Sequence, residues 1–181
     1  SSGIGFATAK EFLKNDWQVI ISSSSQEKLN NAKTRLSENK KKNLLHIIKC
    51  DISIKKEVDE TVENIEKNIG KIDIALLNAS AYSPNKDQTF NISNYELLID
   101  VNIKGTLYCI NKLKDFMKFR DNTIAIISSP LGYRGWPTAG AYGISKAAQL
   151  SLSETLFFDF KKININMRVI CPVSYTHLTL P

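Results

Sequence analysis

The sequence is poor in the residues that hold small cross-linked or metal-stabilised folds together. Its 181 residues include three cysteines (Cys50, Cys109 and Cys171) and two histidines. An odd cysteine count with no CxxC pair argues against a disulfide framework and against a zinc site, so no metal is expected. Each cysteine lies beside an apolar run, where a free thiol behaves as a small hydrophobe, and a reducing cytoplasm is the simplest setting. His46 stands away from any acidic cluster and reads as structural. Arginine is also scarce: Arg35, Arg120, Arg134 and Arg168 are the full set, so the net charge of +6 comes from lysine. The lysines scatter along the chain, with Lys40, Lys41 and Lys42 the single run. A nucleic-acid surface gathers basic residues on one face, so this charge reads as a solvated exterior and no nucleic-acid partner is expected. No stretch approaches the roughly 20 apolar residues that cross a bilayer, and no membrane association is expected.

What is present is alternation. Hydrophobic residues make up 43% and charged residues 23% of the chain, a balance that can bury one core. Short runs rich in Ile and Leu at 18–22, 44–49, 72–77, 123–128 and 167–171 predict buried strands. Amphipathic stretches at 4–15, 26–38, 55–68, 93–119 and 142–161 predict helices between them. Strand–helix alternation places both faces of a parallel sheet under helices. The expected fold class is α/β, a Rossmann-type doubly wound parallel sheet. No internal repeat and no linker divides residues 1–172.

The N-terminal end carries a glycine turn. Gly3 and Gly5, with Ser2 and Ile4, stand at the start of a helix. Glycine lets backbone N–H groups come close to a pyrophosphate, and the helix dipole favours its negative charge. The residue that tells NAD from NADP belongs at the end of the next strand, which here is the run Ser22, Ser23, Ser24, Ser25. No carboxylate stands there to bind a ribose 2′-hydroxyl or repel a 2′-phosphate, and no arginine either. The hydroxyls of Ser23 and Ser24 can donate to a phosphate, so NADP is favoured over NAD. Ser24-x-x-Glu27 also reads as a capping box for the following helix, and both roles can hold together.

Tyr142 and Lys146 lie four residues apart, on one face of a predicted helix. A free tyrosine ionises near pH 10, too high for efficient proton transfer at neutrality, and a nearby ammonium favours the phenolate. The spacing alone is common: Tyr82 and Lys86, and Tyr108 and Lys112, share it. Pro84 makes a continuous helix through the first pair unfavourable, and the second lies inside a long amphipathic helix. Only Tyr142 and Lys146 follow a buried strand ending at Ser128 and Ser129 and a loop holding Gly132, Gly135 and Gly140. Strand-end loops are where doubly wound folds bind ligands.

Ser129, a Gly/Pro-rich loop, and Tyr142-x-x-x-Lys146 thirteen residues on from the serine resemble the short-chain dehydrogenase/reductase family. Four further segments agree in order. Ser1 to Gly5 resembles the end of the family's TGxxxGxG turn, and Asp51 with Ile52 resembles its adenine-contacting segment. Asn78-Ala79-Ser80 resembles its NAG motif, and Asn102 resembles the helix asparagine of its catalytic tetrad. A partial match follows, in which Pro172 resembles the start of its PG motif but Val173 replaces the glycine. The resemblance implies an NAD(P)(H)-dependent enzyme interconverting an alcohol and a carbonyl of a small molecule by hydride transfer. Tyr142 would be the general acid/base, Lys146 would lower its pKa and hold the nicotinamide ribose, and Ser129 would hydrogen-bond the substrate oxygen. Asn102 would support a water linking Lys146 to solvent. A homodimer or homotetramer is implied on the same basis. Two other readings stand beside it: an extended-type epimerase or dehydratase, and a non-catalytic dinucleotide-binding sensor or scaffold. Departures from the pattern are Ser80 for glycine in the NAG motif and Pro130 directly after Ser129.

Both ends are irregular. The glycine turn opens the chain with no strand before it, and after Pro172 the pattern stops at VSYTHLTLP (173–181). That nonapeptide can be encoded by a nucleotide run matching a transposon-end adapter used in sequencing libraries. The expectation is therefore a domain truncated at both ends, without its first and last strands, and a non-native tail from 173. A native tail is the alternative, decided by the parent gene. The first strand of such a sheet lies between those holding Ile20 and Ile74, and its loss leaves backbone groups on two strands unpaired. Residues 1–172 alone are expected to be unstable and inactive. A cooperative thermal melt with cofactor-dependent stabilisation would refute this.

Overall fold

The computed structural model describes residues 3–37, 42–83 and 90–172. Ser2, Lys86 and the 173–181 tail lie outside the described residues. The chain forms two compact units, divided between Lys71 and Ile72.

The first unit holds α1 (Gly3–Lys14), β1 (Val19–Ser23), α2 (Gln26–Ser37), β2 (Leu45–Lys49) and α3 (Lys55–Asn68). β1 and β2 pair in parallel, Val19 opposite Leu45 through Ser23 opposite Lys49. The helices bury the residues their periodicity selects: Ala9 and Leu13 in α1, and Leu29, Ala32 and Leu36 in α2. These meet Ile21 and Leu45 from the strands in one cluster. The spacing of three and four residues puts them on a single helix stripe. The Arg35 guanidinium lies 4.2 Å from the centroid of the Phe6 ring, a cation–π contact between α1 and α2.

The second unit holds β3 (Ile74–Leu77), α4 (Ile92–Leu98), α5 (Gly105–Met117), β4 (Asn122–Ile127), α6 (Gly140–Lys161) and β5 (Ile165–Ile170). Its sheet is parallel in the order β3-β4-β5. The central strand β4 buries Ile124, Ala125, Ile126 and Ile127 in succession, as expected of a strand covered on both faces. Among the described residues, β1 pairs only with β2 and β3 only with β4.

All five expected strands and the alternation are present, and α3 has the expected bounds. Two local expectations change. The helix expected over 93–119 is interrupted: between α4 and α5, residues Ile99–Lys104 form a π-helical turn. A side-chain pattern tolerates one added residue where a buried polar group makes use of the wider turn, and Asn102 is that group. The cap of α2 also moves by one residue. The amide of Lys28 donates to Ser25 Oγ at 3.3 Å, so Ser25 rather than Ser24 caps the helix. Ser23 Oγ in turn accepts from the Ser25 amide.

Candidate active site

The site is built where β4 ends. Ser128, just past the strand, donates its amide to the Ile170 carbonyl at 2.8 Å and its hydroxyl to the Lys146 carbonyl at 3.0 Å. These two bonds tie the strand end to β5 and to α6. Ser129 follows with extended backbone and caps a 3-10 turn, Pro130–Gly132, accepting from the Leu131 amide at 3.3 Å. Pro130 occupies the first position of that turn, where its fixed φ suits the helix and its missing N–H costs nothing, so its presence after Ser129 has a structural reason. Gly132 lies against α6. A Cβ there would come within 2.9 Å of the Lys146 main chain, a contact that real side chains essentially never make. Glycine is what lets the turn lie directly on the helix and hold Ser129 beside Tyr142.

Tyr142 is half-buried and Lys146 is 2% exposed. Burial pushes the Tyr142 phenol above its ordinary value; the hydrogen bond with Ser129 works the other way, and the Tyr82 phenol adds to the rise. Burial brings the Lys146 amine down to about 8, with Cys171 opposing the fall. The Lys146 Nζ lies 5.3 Å from the Tyr142 ring centroid. It donates to the Ile127 carbonyl at 2.9 Å and to Gln149 Oε1 at 3.0 Å. The net rise of the phenol comes from desolvation outweighing the Ser129 hydrogen bond. A phenol held protonated, a hydroxyl against it and a desolvated amine one helical turn away can pass a proton to a bound oxygen and steady the charge that develops there.

Asn102 is fully buried at the π turn. Its side chain accepts from the Ala81 amide at 2.7 Å and donates to the Ala81 carbonyl at 3.0 Å and to Ser145 Oγ at 2.9 Å. Ser145 passes its own hydrogen to the Tyr142 carbonyl at 2.8 Å. Asn102 thus fastens the segment after Asn78-Ala79-Ser80 to the helix that carries Tyr142. Asn78 itself turns the chain, its amide donating to the Leu76 carbonyl at 3.0 Å, and Ala79 and Ser80 are exposed. Ser129, Tyr142, Lys146 and Asn102 are brought together in the second unit. Pro172 follows β5 and is half-buried.

The remaining sequence-selected residues lie in the first unit. Gly3 opens α1 with φ +55° and open space where a Cβ would stand, a left-handed conformation that favours glycine. The first turn of α1 carries no acidic residue. Ile4 and Gly5 continue that turn, so the helix start fits an incoming pyrophosphate. Ser23 is half-buried and Ser24 exposed at the end of β1, and Asp51 and Ile52 follow β2, both half-buried. Asp51 Oδ1 accepts from the amide and hydroxyl of Ser53 at 3.0 and 2.7 Å, which shapes the turn into α3.

Sequence reading passed over several neighbours of this site. Ser145 and Gln149 stand three and seven residues after Tyr142, polar residues on a buried helical stripe, and that periodicity was the available signal. The Tyr82 ring meets the Tyr142 ring edge-on, centroids 5.0 Å apart at 81°. Nothing in the sequence around Tyr82 marks this contact.

Comparison with known proteins settles the family. The sequence pattern described as short chain dehydrogenase matches residues 1–178. The chain belongs to the short-chain dehydrogenase family. It is 26% identical over 173 residues to an uncharacterized oxidoreductase of Staphylococcus epidermidis, covering 95% of this chain and 73% of that protein. It is 30% identical to an uncharacterized oxidoreductase of Staphylococcus saprophyticus, covering 95% and 74%. Among solved structures, levodione reductase superposes with a TM-score of 0.88 at 21% identity, covering 95% of this chain and 67% of that one. NAD+-bound xylitol dehydrogenase superposes at 0.84 and 26% identity, covering 94% and 65%. The chain is thus an oxidoreductase-family member with the Rossmann-like α/β fold of its short-chain relatives, a family that binds NAD(P) and acts on small molecules. No helix among the described residues is long and apolar enough to cross a membrane.

The amine of Lys146 links folding to pH. Its folded value of about 8 lies below the ordinary 10.5, so the unfolded chain binds that proton more tightly. Below pH 8 both states are protonated and the full cost of burying the charge is present. Between pH 8 and 10.5 the cost falls as the folded amine loses its proton, and above that window it is gone. Lys146→Met in the full-length gene product should therefore gain stability relative to wild type most at pH 7, and the gain should shrink by pH 10. Thermal melts of both proteins across that range measure it; a difference independent of pH would contradict it.

Proposed function

We propose that this protein interconverts an alcohol and a carbonyl on a small molecule with NADP(H), using Tyr142 as the general acid/base. The observation that carries this reading is the half-buried phenol of Tyr142, hydrogen-bonded to Ser129 and one turn from a buried amine. Such a set serves proton transfer and has little use in a dinucleotide sensor. The bound cofactor supplies the hydride. Gly3, Ile4 and Gly5, with Ser2, would receive its pyrophosphate; Asp51 and Ile52 its adenine; Asn78, Ala79, Ser80 and Pro172 its nicotinamide half; and Lys146 its ribose. Ser129 accepts from the Leu131 amide, and its hydrogen serves as donor to the substrate oxygen. The homo-oligomer implied by family resemblance is supported by the exposed ring pair Phe157 and Phe158 on α6, centroids 5.2 Å apart. A cytoplasmic setting is supported by three free cysteines.

The raised phenol sets the sign of the pH response. Reduction needs Tyr142 protonated, which it is at neutrality; oxidation needs phenolate, whose fraction climbs with pH. Oxidation by the full-length gene product should rise from neutral into alkaline pH, while reduction holds and then falls. Tyr142→Phe should lower turnover by about 10²–10⁴-fold, the usual worth of a positioned acid/base, with cofactor binding kept. Absorbance assays with a panel of carbonyls and alcohols read both, and a Phe variant that turns over at the wild-type rate would end the assignment.

The cofactor preference rests on the absence of a carboxylate from Ser22 to Ser25 and on the hydroxyls of Ser23 and Ser24. NADPH should show a higher kcat/KM than NADH, and Ser24→Asp should reverse the ratio by repelling the 2′-phosphate. An unchanged ratio in that variant would place cofactor discrimination elsewhere.

A further inference from the structure

Gln149 lies on α6, one turn beyond Lys146, and is 2% exposed. Its amide is used on both sides. Nε2 donates to the Asn102 carbonyl at 2.9 Å and to Thr106 Oγ1 at 3.0 Å, and Oε1 accepts from Lys146 Nζ at 3.0 Å. The orientation is fixed by chemistry rather than by assignment. A carbonyl can only accept, and the Thr106 hydroxyl already gives its hydrogen to the same Asn102 carbonyl at 2.7 Å. Both partners therefore need donors, which only the NH2 end of the amide supplies. The oxygen end must then face the lysine, where it can receive a hydrogen and never give one.

We propose that Gln149 is the positioning residue of the active-site amine: it clamps Lys146 to the Asn102 carbonyl in the π turn and holds it in the ammonium form. The inference rests on the reading of Lys146 given above, but concerns the amine itself rather than turnover. An acceptor-only neighbour in a desolvated site favours the protonated amine, offsetting part of the burial that favours the neutral one. The titratable groups around Lys146 are few. Tyr142 stands on the same helix, and Cys171 acts from beyond β5. Tyr133, in the loop before α6, hydrogen-bonds Cys171, and Tyr82 acts on Tyr142. None of them makes the fixed bond that Gln149 makes.

The test reads the amine directly. In the full-length gene product without cofactor, the 13Cε resonance of Lys146, identified by its loss in Lys146→Met, is titrated in wild type, Gln149→Leu and Gln149→Glu. The leucine variant, which removes the acceptor, should weaken proton binding by about tenfold, the worth of one charged hydrogen bond. The glutamate variant, with a carboxylate in the same shape, should strengthen it. Coincident titrations in all three proteins would overturn the proposal, as would failure of both variants to fold, which would make Gln149 purely structural. If the leucine variant alone fails to fold, the direction in the glutamate variant decides. Turnover profiles recorded in parallel separate the two readings: an amine that shifts while the profile stays fixed counts against Lys146 in catalysis and leaves the role of Gln149 intact.

Discussion

The second unit depends on the burial of one amine. Lys146 is almost wholly removed from solvent, and a charge in that position is tolerated only where acceptors meet it. The Ile127 carbonyl at the end of β4 and the Gln149 oxygen on α6 are those acceptors. The same lysine's main-chain carbonyl receives the Ser128 hydroxyl, and its backbone leaves no room for a Cβ on Gly132. One residue thus fixes the strand end, the turn after it and the helix beside it. Ser129 and Tyr142 face each other because the elements carrying them are both fastened to Lys146.

Much of the fold was legible because it rests on periodicity. Ile- and Leu-rich runs gave the strands and amphipathic stripes gave the helices, with most boundaries within a few residues. The cluster of Ser129, Tyr142, Lys146 and Asn102 was legible as a spaced pattern in the right order. Other features were hidden because they depend on where hydrogen bonds go. Whether Ser24 or Ser25 caps α2 turns on one residue of helix phase. The rise of the Tyr142 phenol turns on how much water its ring loses, and the orientation of Lys146 on which carbonyls lie in reach. The edge contact of Tyr82 joins residues 60 positions apart with no shared motif.

The two units carry different parts of the proposed chemistry. The first holds the glycine that opens α1 in a left-handed conformation and the serines that end β1, features suited to receiving phosphate. The second holds Ser129, Tyr142 and Lys146, the groups proposed for proton transfer. This division matches the general logic of short-chain dehydrogenases, in which cofactor and acid–base groups come from different strand ends of one α/β design. Hydrogen bonds knit the second set closely. Ser145 joins Asn102 to the Tyr142 main chain, so a residue with no role in proton transfer still fixes the helix turn from which the phenol projects.

The wide turn at 99–104 has a geometric consequence of its own. Leu98 and Met117 are both buried, one before and one after it. They are 117 − 98 = 19 positions apart, and on an uninterrupted α-helix that offset would rotate one about 100° away from the other. Taking up one surplus residue in the wide turn cancels this rotation. Leu98, Asn102, Thr106, Ile110, Leu113 and Met117 therefore stay in line along a single rod. Removing one residue from that turn would leave the two buried ends 19 − 1 = 18 positions apart, whole turns of regular coiling, so the apolar seam would stay in line and only the wide turn that seats Asn102 would be lost.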